Sequence, residues 1–499
     1  MLDSEVDLLI VGGGINGAGI ARDAAGRGLN VMLAEQGDLG CATSSASSKL
    51  IHGGLRYLEQ LEFRLVAESL AEREVLLRTA PHLVRPMRFV MPRAAGLRPG
   101  WMIRTGLLFY DWLARRQILE RSAAVDLTIP PYRSALKPEY VDGYAYSDCR
   151  VDDARLVIAN AMAAAEAGAT ILPRTACVAA SREGAHWRAQ LADAAGEREV
   201  KARALVNATG PWVSRFLAEA LAEPVPTRVK LVQGSHIVVP RLYAGDYAYI
   251  LQNDDGRVVF VYAYEADYTL IGTTDVALEG GPRPCTPTSA EIDYLCRAAN
   301  RYFARQIEPA DVKWSYCGVR ALVDDGAADP SKITRDYLLR VDGGPEGPPV
   351  LSVFGGKITT YRRLAERALE HLVPWFPGMR PPWTADARLP GGDMQAGDAA
   401  RCAAEIARQR PDLPQTLICA LVHRHGSKTP DMLGATRKVE DLGVHFGAGL
   451  YAREVDYFKD REWAREAEDV LWRRTKMGLH LDLEQQSRLA RYMAAQDLR

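Results

Sequence analysis

The hydrophobic pattern of the first forty residues predicts a strand, a glycine turn, a helix and a second strand. An apolar run at residues 6–11 leads into Gly-Gly-Gly-Ile-Asn-Gly-Ala-Gly at residues 12–19 and then into an alanine-rich stretch. A second apolar run at residues 30–34 ends on Glu35. A helix that begins at such a turn directs its free N–H groups and positive dipole end at a pyrophosphate. The pattern therefore predicts a Rossmann-like unit that binds a dinucleotide.

Each glycine of this turn has a separate expected role. Gly12 permits the tight turn, Gly14 lets the backbone approach the phosphates, and Gly17 lets the helix pack closely on the strand. Glu35 follows at the spacing expected for an acid that accepts hydrogen bonds from a ribose hydroxyl, and its charge would repel a 2′-phosphate.

Residues 41–57 combine small hydroxylated side chains with glycines and cannot form a packed helix of their own. Hydroxyl groups suit phosphates, and glycines suit a backbone that lies against a flat ring. An ordinary surface loop is the alternative.

Further along the chain, periodicity alternates between helix and strand. We predict helices at residues 63–79, 101–113, 153–168 and 289–303, and a β-meander at residues 178–206 that ends beside Thr209 and Gly210. Residues 227–341 are mostly extended and antiparallel in character, residues 350–354 form a buried strand before a second glycine turn, and residues 396–499 are helical.

Two arginines lie in the extended region, Arg320 and Arg335. A single arginine on a strand is most often an exposed edge charge. Two on one sheet favour an anion site instead, because the guanidinium group binds phosphate through two parallel hydrogen bonds.

Composition narrows the class of protein. The chain has 499 residues with a formal net charge of −1, so no overall field attracts nucleic acid. Its eight cysteines show no paired spacing, which disfavours a metal site or a disulfide framework and suits a reducing compartment. No apolar run reaches the ~18 residues of a membrane-spanning helix. A second glycine fingerprint is missing, so we expect electrons to come from a reduced organic substrate and to leave to a small acceptor.

Several long motifs resemble the FAD-dependent respiratory glycerol-3-phosphate dehydrogenases. They include Ser-Lys-Leu-Ile-His-Gly-Gly-Leu-Arg-Tyr at residues 48–57, residues 146–156, and Phe-Gly-Gly-Lys-Ile-Thr-Thr-Tyr at residues 354–361. The resemblance implies an FAD flavoprotein that oxidises sn-glycerol 3-phosphate to dihydroxyacetone phosphate and reduces membrane quinone. It also implies a homodimer bound peripherally to the cytoplasmic face of a membrane; the basic helix at residues 361–373 is what suggests an anionic phospholipid surface.

The fold that this resemblance implies is α/β, with a Rossmann-like FAD-binding domain, an antiparallel β substrate domain of the D-amino-acid-oxidase type and a C-terminal all-α cap. The expected division assigns the FAD-binding domain to residues 1–85, 151–226 and 346–375, substrate segments to residues 86–150 and 227–345, a linker to residues 376–395, and the cap to residues 396–499.

The resemblance also assigns site residues. The substrate positions are Arg56, Tyr57, His236, Arg320, Arg335 and Lys357. The expected FAD contacts are Gly12, Gly14, Asn16, Gly17, Glu35, Thr43, Ser44, Ser48, Lys49, His52, Gly53, Gly54, Thr209, Gly210, Gly355, Gly356, Lys357, Ile358 and Thr359.

Catalysis of alcohol oxidation requires a base, a phosphate anchor and a group that stabilises negative charge. We assign the base to His236, with a positioning or core role as the alternative. Arg320 and Arg335 anchor the phosphate, and Lys357 stabilises the developing alkoxide. This chain departs from the family at Ala321, where proline is usual, and at Ala263-Tyr264, where Pro-Trp is usual, so the pocket shape is in question.

Three alternatives remain open at this level. An oxidase that reduces O₂ uses the same pocket, and a non-catalytic FAD-stabilised protein needs no cationic pocket. The basic amphipathic helix at residues 361–373, with Arg362, Arg367 and His371, is a candidate membrane anchor or simply packs on the flavin domain. The aromatic segment at residues 101–113 is the second candidate anchor.

Overall fold

A computed structural model describes residues 4–59, 61–94, 98–113, 118–133, 135–225, 227–324, 335–344, 347–395 and 397–496. Its strands are β1 (Ser4–Val11), β2 (Val31–Glu35), β3 (Leu50–Ile51), β4 (Val84–Pro92), β5 (Ala123–Asp126), β6 (Asp142–Val151), β7 (Thr170–Pro173), β8 (Ala176–Glu183), β9 (His186–Asp193), β10 (Gly196–Asn207), β11 (Val229–Pro240), β12 (Ala248–Gln252), β13 (Val258–Tyr264), β14 (Tyr268–Gly272), β15 (Val276–Ala277), β16 (Trp314–Val323), β17 (Leu338–Asp342), β18 (Val350–Phe354), β19 (His445–Gly447) and β20 (Leu450–Tyr451). Its helices are α1 (Ile15–Gly26), α2 (Phe63–Thr79), α3 (Gly100–Trp112), α4 (Asp153–Glu166), α5 (Val213–Arg215), α6 (Ser289–Tyr302), α7 (Tyr361–Leu372), α8 (Ala399–Gln409), α9 (Gln415–His425), α10 (Thr429–Leu433), α11 (Ala452–Glu462) and α12 (Leu483–Gln496).

The first sheet carries the glycine turn. Its strand order is β17-β18-β10-β1-β2-β7, and the contacts of β1 with β2 and β10, of β10 with β18 and of β2 with β7 are parallel. Leu8, Leu9 and Ile10 of β1 are fully buried, as expected of a central strand covered on both faces. The carboxyl ends of these strands therefore open together onto one edge, where the turn before α1 lies.

The second sheet is mainly antiparallel and faces this edge. Its strand order is β15-β11-β14-β13-β12-β4-β6-β3, and β16 pairs with β11 along nearly its whole length. The sheet is assembled from segments far apart in sequence, because β3, β4 and β6 come from the first third of the chain. This architecture confirms the predicted fold class, an FAD-type Rossmann domain with an antiparallel sheet and a C-terminal helical domain.

Three features differ from the sequence prediction. β17 was expected in the substrate sheet but pairs antiparallel with β18 in the first sheet. The C-terminal domain, predicted to be all helical, also contains a small hairpin of β19 and β20. Cys285 and Cys317 form a disulfide, although their spacing of 32 residues gave no sign of pairing. Only the pairing of β16 with the rest of its sheet brings these two cysteines together.

Helix α7 is internal, which contradicts its prediction as a membrane anchor. Arg362 is 5% exposed and is ion-paired with Glu72 at 2.6 Å and with Glu366. Arg367 is ion-paired with Glu68 at 2.6 Å. The apolar face of the helix packs on the core of the first sheet. The basic side chains of α7 therefore neutralise internal carboxylates and do not form a free cationic face.

Helix α3 has the opposite character. Its side chains Trp101, Leu108, Phe109 and Trp112 are 72%, 61%, 49% and 82% exposed. Ile103, Leu107 and Tyr110 face inward and are buried. An exposed apolar stripe of this kind marks a surface that binds another apolar surface. Among the described residues, none of the helices is long and apolar enough to cross a membrane.

Candidate active site

A cavity of about 1490 Å³ lies between the two sheets. Its lining includes the first glycine turn, the second glycine turn after β18, and side chains of α3. We describe its lining as a nucleotide end, a middle section, and a cationic end with an apolar extension.

The nucleotide end is shaped by close backbone packing. Gly12 has φ +110°, and a Cβ atom there would lie 2.5 Å from the carbonyl oxygen of Ala208. A Cβ on Gly17 would lie 1.9 Å from the Gly12 oxygen, so Gly17 holds α1 against the turn and does not itself line the cavity. Both positions therefore require glycine for the reason that the sequence predicts.

Glu35 lies at this end with its carboxylate held by the backbone. It accepts hydrogen bonds from the N–H groups of Gly13 at 2.6 Å and Gly37 at 2.8 Å. Burial raises the pKa of Glu35, and these two hydrogen bonds act in the opposite direction. The carboxylate is thus fixed at the carboxyl end of β2, where a ribose hydroxyl is expected.

The middle section is enclosed by two segments that the sequence singled out. Ser44 accepts a hydrogen bond from the N–H of Ile15 at 3.0 Å, and Thr43 donates to the carbonyl of Val319 at 2.7 Å. Asn16 donates to the carbonyl of Gly355 at 3.3 Å. The loop from residue 43, the start of α1 and the second glycine turn therefore form one continuous wall.

The cationic end is built around one carboxylate, Asp275. Arg320 contacts Asp275 through Nη1 and lies 3.2 Å from Thr273 Oγ1 through Nη2. Arg335 Nη2 lies 3.7 Å from the same Asp275 oxygen. Burial lowers the pKa of Arg335, and the neighbouring Arg320 lowers it further. The shared carboxylate therefore keeps two guanidinium groups side by side at the cavity wall.

Lys357 completes this cluster of positive charge. Its Nζ lies 3.9 Å from the centre of the Tyr57 ring, and Lys357, Tyr57 and Arg56 all line the cavity. Burial lowers the pKa of Lys357, while Tyr57 raises it. A ligand that carries a dianion would satisfy these cations far better than a neutral one.

The two histidines near the cavity occupy different environments. His52 lines the cavity, and burial together with Lys357 and Arg320 lowers its pKa to about 3. His236 is 1% exposed, its Nε2 lies 2.9 Å from Ser48 Oγ, and its ring stacks on Tyr316. Burial lowers the pKa of His236 as well. The geometry therefore favours His52 over His236 as a group that reaches a ligand.

Most of the predicted site residues line this one cavity. They are Gly12, Gly14, Asn16, Glu35, Thr43, Ser44, Ser48, His52, Gly54, Arg56, Tyr57, Thr209, Gly210, Arg320, Arg335, Gly355, Gly356, Lys357, Ile358 and Thr359. The predicted strand segment at residues 333–334, just before Arg335, lies outside the described residues.

Lys49 and Gly53, like His236, lie behind the cavity wall. Lys49 is buried and ion-paired with Asp153 at 2.8 Å, so its charge is used inside the fold. Gly53 donates its N–H to the Tyr110 hydroxyl at 2.8 Å. Sequence position next to contact residues does not decide which side chains face the cavity, because alternate residues of an extended segment point in opposite directions.

Sequence reasoning missed other parts of the site. Asp275 and Thr273 belong to a Gly-Thr-Thr-Asp motif at residues 272–275, and sequence reasoning assigned neither residue a role in the site. An apolar extension beneath α3 was also missed, because its residues come from several elements. Its lining includes Met91, Trp101, Met102, Ile103, Phe109, Ile250, Val258 and Phe260.

Comparison with known proteins identifies relatives over the whole chain. The FAD dependent oxidoreductase family matches residues 7–362, and the C-terminal domain of alpha-glycerophosphate oxidase matches residues 382–496. A glycerol-3-phosphate dehydrogenase of Pseudomonas aeruginosa is 51% identical over 98% of this chain and 95% of its own. A D-erythritol 1-phosphate dehydrogenase of Brucella abortus is 49% identical over 95% of each chain. The structure of the Bacillus halodurans glycerol-3-phosphate dehydrogenase with FAD is similar with a TM-score of 0.74 at 25% identity, and the match covers 98% of this chain and 94% of that one.

The cavity fits FAD on its own chemistry. Among the described residues, the Oδ1 atom of Asn16 is buried without a hydrogen-bond partner. A Cβ on Gly356 would lie 2.9 Å from the Asn16 amide, so glycine lets the second glycine turn pack directly against this side chain. Glu35 lies at the carboxyl end of β2 and the start of α1 follows the first glycine turn, where a ribose hydroxyl and a pyrophosphate are expected. The residues at both ends of the cradle therefore suit this cofactor.

Proposed function

Because the chain belongs to the FAD-dependent oxidoreductase family and carries the C-terminal domain of the alpha-glycerophosphate oxidases, we propose that it oxidises sn-glycerol 3-phosphate to dihydroxyacetone phosphate. The observation that carries this proposal is the cluster of Arg320, Arg335 and Lys357 at the end of the FAD cavity. A phosphate dianion is the ligand that the two forked guanidinium groups bind best, with the Lys357 ammonium group left beside them for the reacting alcohol.

A related substrate class is the second candidate. The Brucella abortus relative is a D-erythritol 1-phosphate dehydrogenase, and it is nearly as similar to this chain as the Pseudomonas aeruginosa protein. Both substrates carry a phosphate next to a secondary alcohol, so the same anchor serves each. The longer polyol needs additional room and hydrogen-bond partners beyond C2, and this requirement distinguishes the two candidates.

We infer that His52 is the general base. It faces the cavity beside Lys357 and Arg320, and its pKa of about 3 keeps it neutral and able to accept a proton at pH 7. A bound phosphate dianion offsets the positive field of the two cations, so substrate binding is expected to raise the pKa of His52 towards a useful value.

Lys357 has a different task in this scheme. Its ammonium group is buried and lies beside Tyr57, and we assign it to the alkoxide that develops at C2. A fixed positive charge in a water-poor site stabilises such a charge without reorganisation. In this assignment the hydroxyl proton of the substrate goes to His52. FAD, when bound, would supply the acceptor for the hydride released from C2 and would pass the two electrons on to a quinone.

We propose that the protein lies on the cytoplasmic face of a membrane through α3, in place of the basic helix that the sequence suggested. Trp101 and Phe109 are exposed on this helix and also line the cavity extension. An apolar quinone in the bilayer would therefore have a short apolar path through this extension into the cavity that holds FAD. Oxygen as acceptor, which would make the protein an oxidase, requires no such surface.

An anaerobic titration tests the reaction. Purified protein mixed with sn-glycerol 3-phosphate is expected to lose its flavin absorbance in the absence of NADPH. D-erythritol 1-phosphate and unphosphorylated glycerol serve as comparisons, and the phosphate with the higher second-order rate constant for bleaching is the preferred substrate. A flavin-loaded protein that neither phosphate bleaches would refute the proposal.

A second experiment identifies the acceptor. After substrate bleaching, a short-chain ubiquinone analogue is expected to restore the absorbance faster than air-saturated buffer does. Faster recovery in air would assign the oxidase activity instead.

A further inference from the structure

The loop that follows Glu35 is fastened to the C-terminal domain by buried ion pairs. Asp38, which is 3% exposed, accepts hydrogen bonds from Arg473 Nε at 2.5 Å and from Arg474 Nη2 at 2.8 Å. Arg474 is fully buried and also donates to the carbonyl of Glu462 inside its own domain. Charged hydrogen bonds of this kind, shielded from water, hold both partners in a fixed geometry.

A second segment at the nucleotide end depends on the same loop. The N–H of Arg174 donates to the carbonyl of Gly37 at 2.7 Å, and the N–H of Thr175 donates to the carbonyl of Glu35 at 2.7 Å. Residues 175–178 line the cavity on the side that faces Glu35. These backbone hydrogen bonds therefore couple the position of residues 174–178 to that of the loop after Glu35.

The side chain of Arg174 joins this second segment to the C-terminal domain directly. Its Nη2 lies 2.9 Å from Asp469, and Asp469 also accepts from Arg473 at 2.5 Å. Asp469 is fully buried. One continuous cluster of charges, Asp38, Arg174, Asp469, Arg473 and Arg474, thus spans the junction between the FAD-binding and C-terminal domains.

We propose that Arg473 and Arg474 are positioning residues for the adenosine end of FAD, and that the C-terminal domain thereby retains the cofactor. The Glu35 carboxylate is oriented by the N–H of Gly37, one residue from the Asp38 anchor. A hydrogen bond to ribose tolerates only a few tenths of an ångström of displacement. Loss of the anchor is therefore expected to weaken FAD binding without any change at the substrate end.

The rate of FAD release from the full-length holoprotein tests this inference. It is followed as the rise in flavin fluorescence after dilution. Arg473→Gln and Asp38→Asn are each expected to release FAD at least tenfold faster than the unaltered protein, and Arg473→Lys, which keeps the charge, is expected to restore most of the retention.

Arg424→Gln is the matched control. Arg424 is ion-paired with Glu454 inside the C-terminal domain, and its side chain is 13% exposed, the same as that of Arg473. This variant is expected to lower the thermal midpoint of the apoprotein and to leave FAD release within twofold of the unaltered rate.

Two results would overturn the inference. One is FAD release from Arg473→Gln and Asp38→Asn within twofold of the unaltered protein. The other is equal acceleration by Arg424→Gln, which would mean that any loss of stability in the domain frees the cofactor. If Arg473→Gln fails to fold, the nearly isosteric Asp38→Asn and the charge-retaining Arg473→Lys decide the question. All of these outcomes are independent of which alcohol the protein oxidises.

Discussion

Replacement of Arg320 by alanine tests the phosphate anchor most directly. The guanidinium group of Arg320 contacts Asp275 and Thr273, and its side chain is 28% exposed at the cavity wall. The substitution removes a phosphate ligand and leaves the carboxylate of Asp275 facing the substrate. Arg335, whose Nη2 lies 3.7 Å from an oxygen of Asp275, then remains as a cationic neighbour of that carboxylate.

The expected loss has two parts. A charge-assisted hydrogen bond contributes about 1.5–3 kcal/mol. Repulsion between a carboxylate and a phosphate charge about 6 Å apart adds roughly 3 kcal/mol at an effective dielectric constant near 20. Together they predict that kcat/KM for sn-glycerol 3-phosphate falls by about three to four orders of magnitude, at about 1.4 kcal/mol per tenfold change.

A double variant separates the two parts. Arg320→Ala combined with Asp275→Asn removes the repelling charge and is expected to recover about a hundredfold of the loss, following the Coulomb estimate above. Steady-state rates with a dye acceptor provide the measurement, and unphosphorylated glycerol provides the control because it has no charge to anchor. An equal loss with glycerol, or a double variant no better than the single one, would show that Arg320 is needed for the fold of the site and not for phosphate.

Three further predictions concern other parts of the molecule. His52→Gln is expected to lower kcat by about 10²–10⁴ with little change in KM. Because burial lowers the pKa of His52 to about 3 in the folded protein, the unfolded chain protonates this histidine first as the pH falls; the unaltered protein is therefore expected to lose about 2 kcal/mol of stability between pH 7 and pH 5 that the variant does not lose, as measured by urea denaturation. Trp101→Ser with Trp112→Ser should reduce sedimentation with liposomes, whereas Leu483→Ser, at a position 82% exposed on the C-terminal domain, should not; equal binding of both variants would remove α3 as the anchor. Reduction of the cystine that closes a loop of 32 residues should cost about 3–4 kcal/mol of stability, seen as a lower thermal midpoint in dithiothreitol, and an unchanged midpoint would contradict that estimate.

The sequence by itself determined the nucleotide end of the site. Gly12, Gly14, Gly17 and Glu35 are separated by short, regular spacings, so a strand, a turn and a helix suffice to bring them together. The structure adds only that a Cβ at Gly12 or Gly17 would collide with backbone. Local geometry specified these residues, which is why pattern alone predicted them.

The cationic end could be predicted only in part. Two arginines on extended segments pointed to an anion, but Asp275, which holds both, was not recognised. The same limit applies to the histidines, since both were assigned to the site and only His52 faces the cavity. Which face of a strand is inward depends on the sheet that it joins, and that sheet is assembled from distant segments.

Only the tertiary structure decided which charged side chains form ion pairs and which cysteines form a disulfide. In the sequence, the basic face of α7 resembles a membrane-binding surface. In the structure, Arg362 and Arg367 are ion-paired with carboxylates of α2. The cluster around Asp38 likewise depends on residues more than four hundred positions away. The sequence of an amphipathic helix shows the same periodicity whether its basic side chains face water, lipid headgroups or the carboxylates of a neighbouring helix. Only the folded chain supplies the partner, because ion pairing and burial are set by residues distant in sequence.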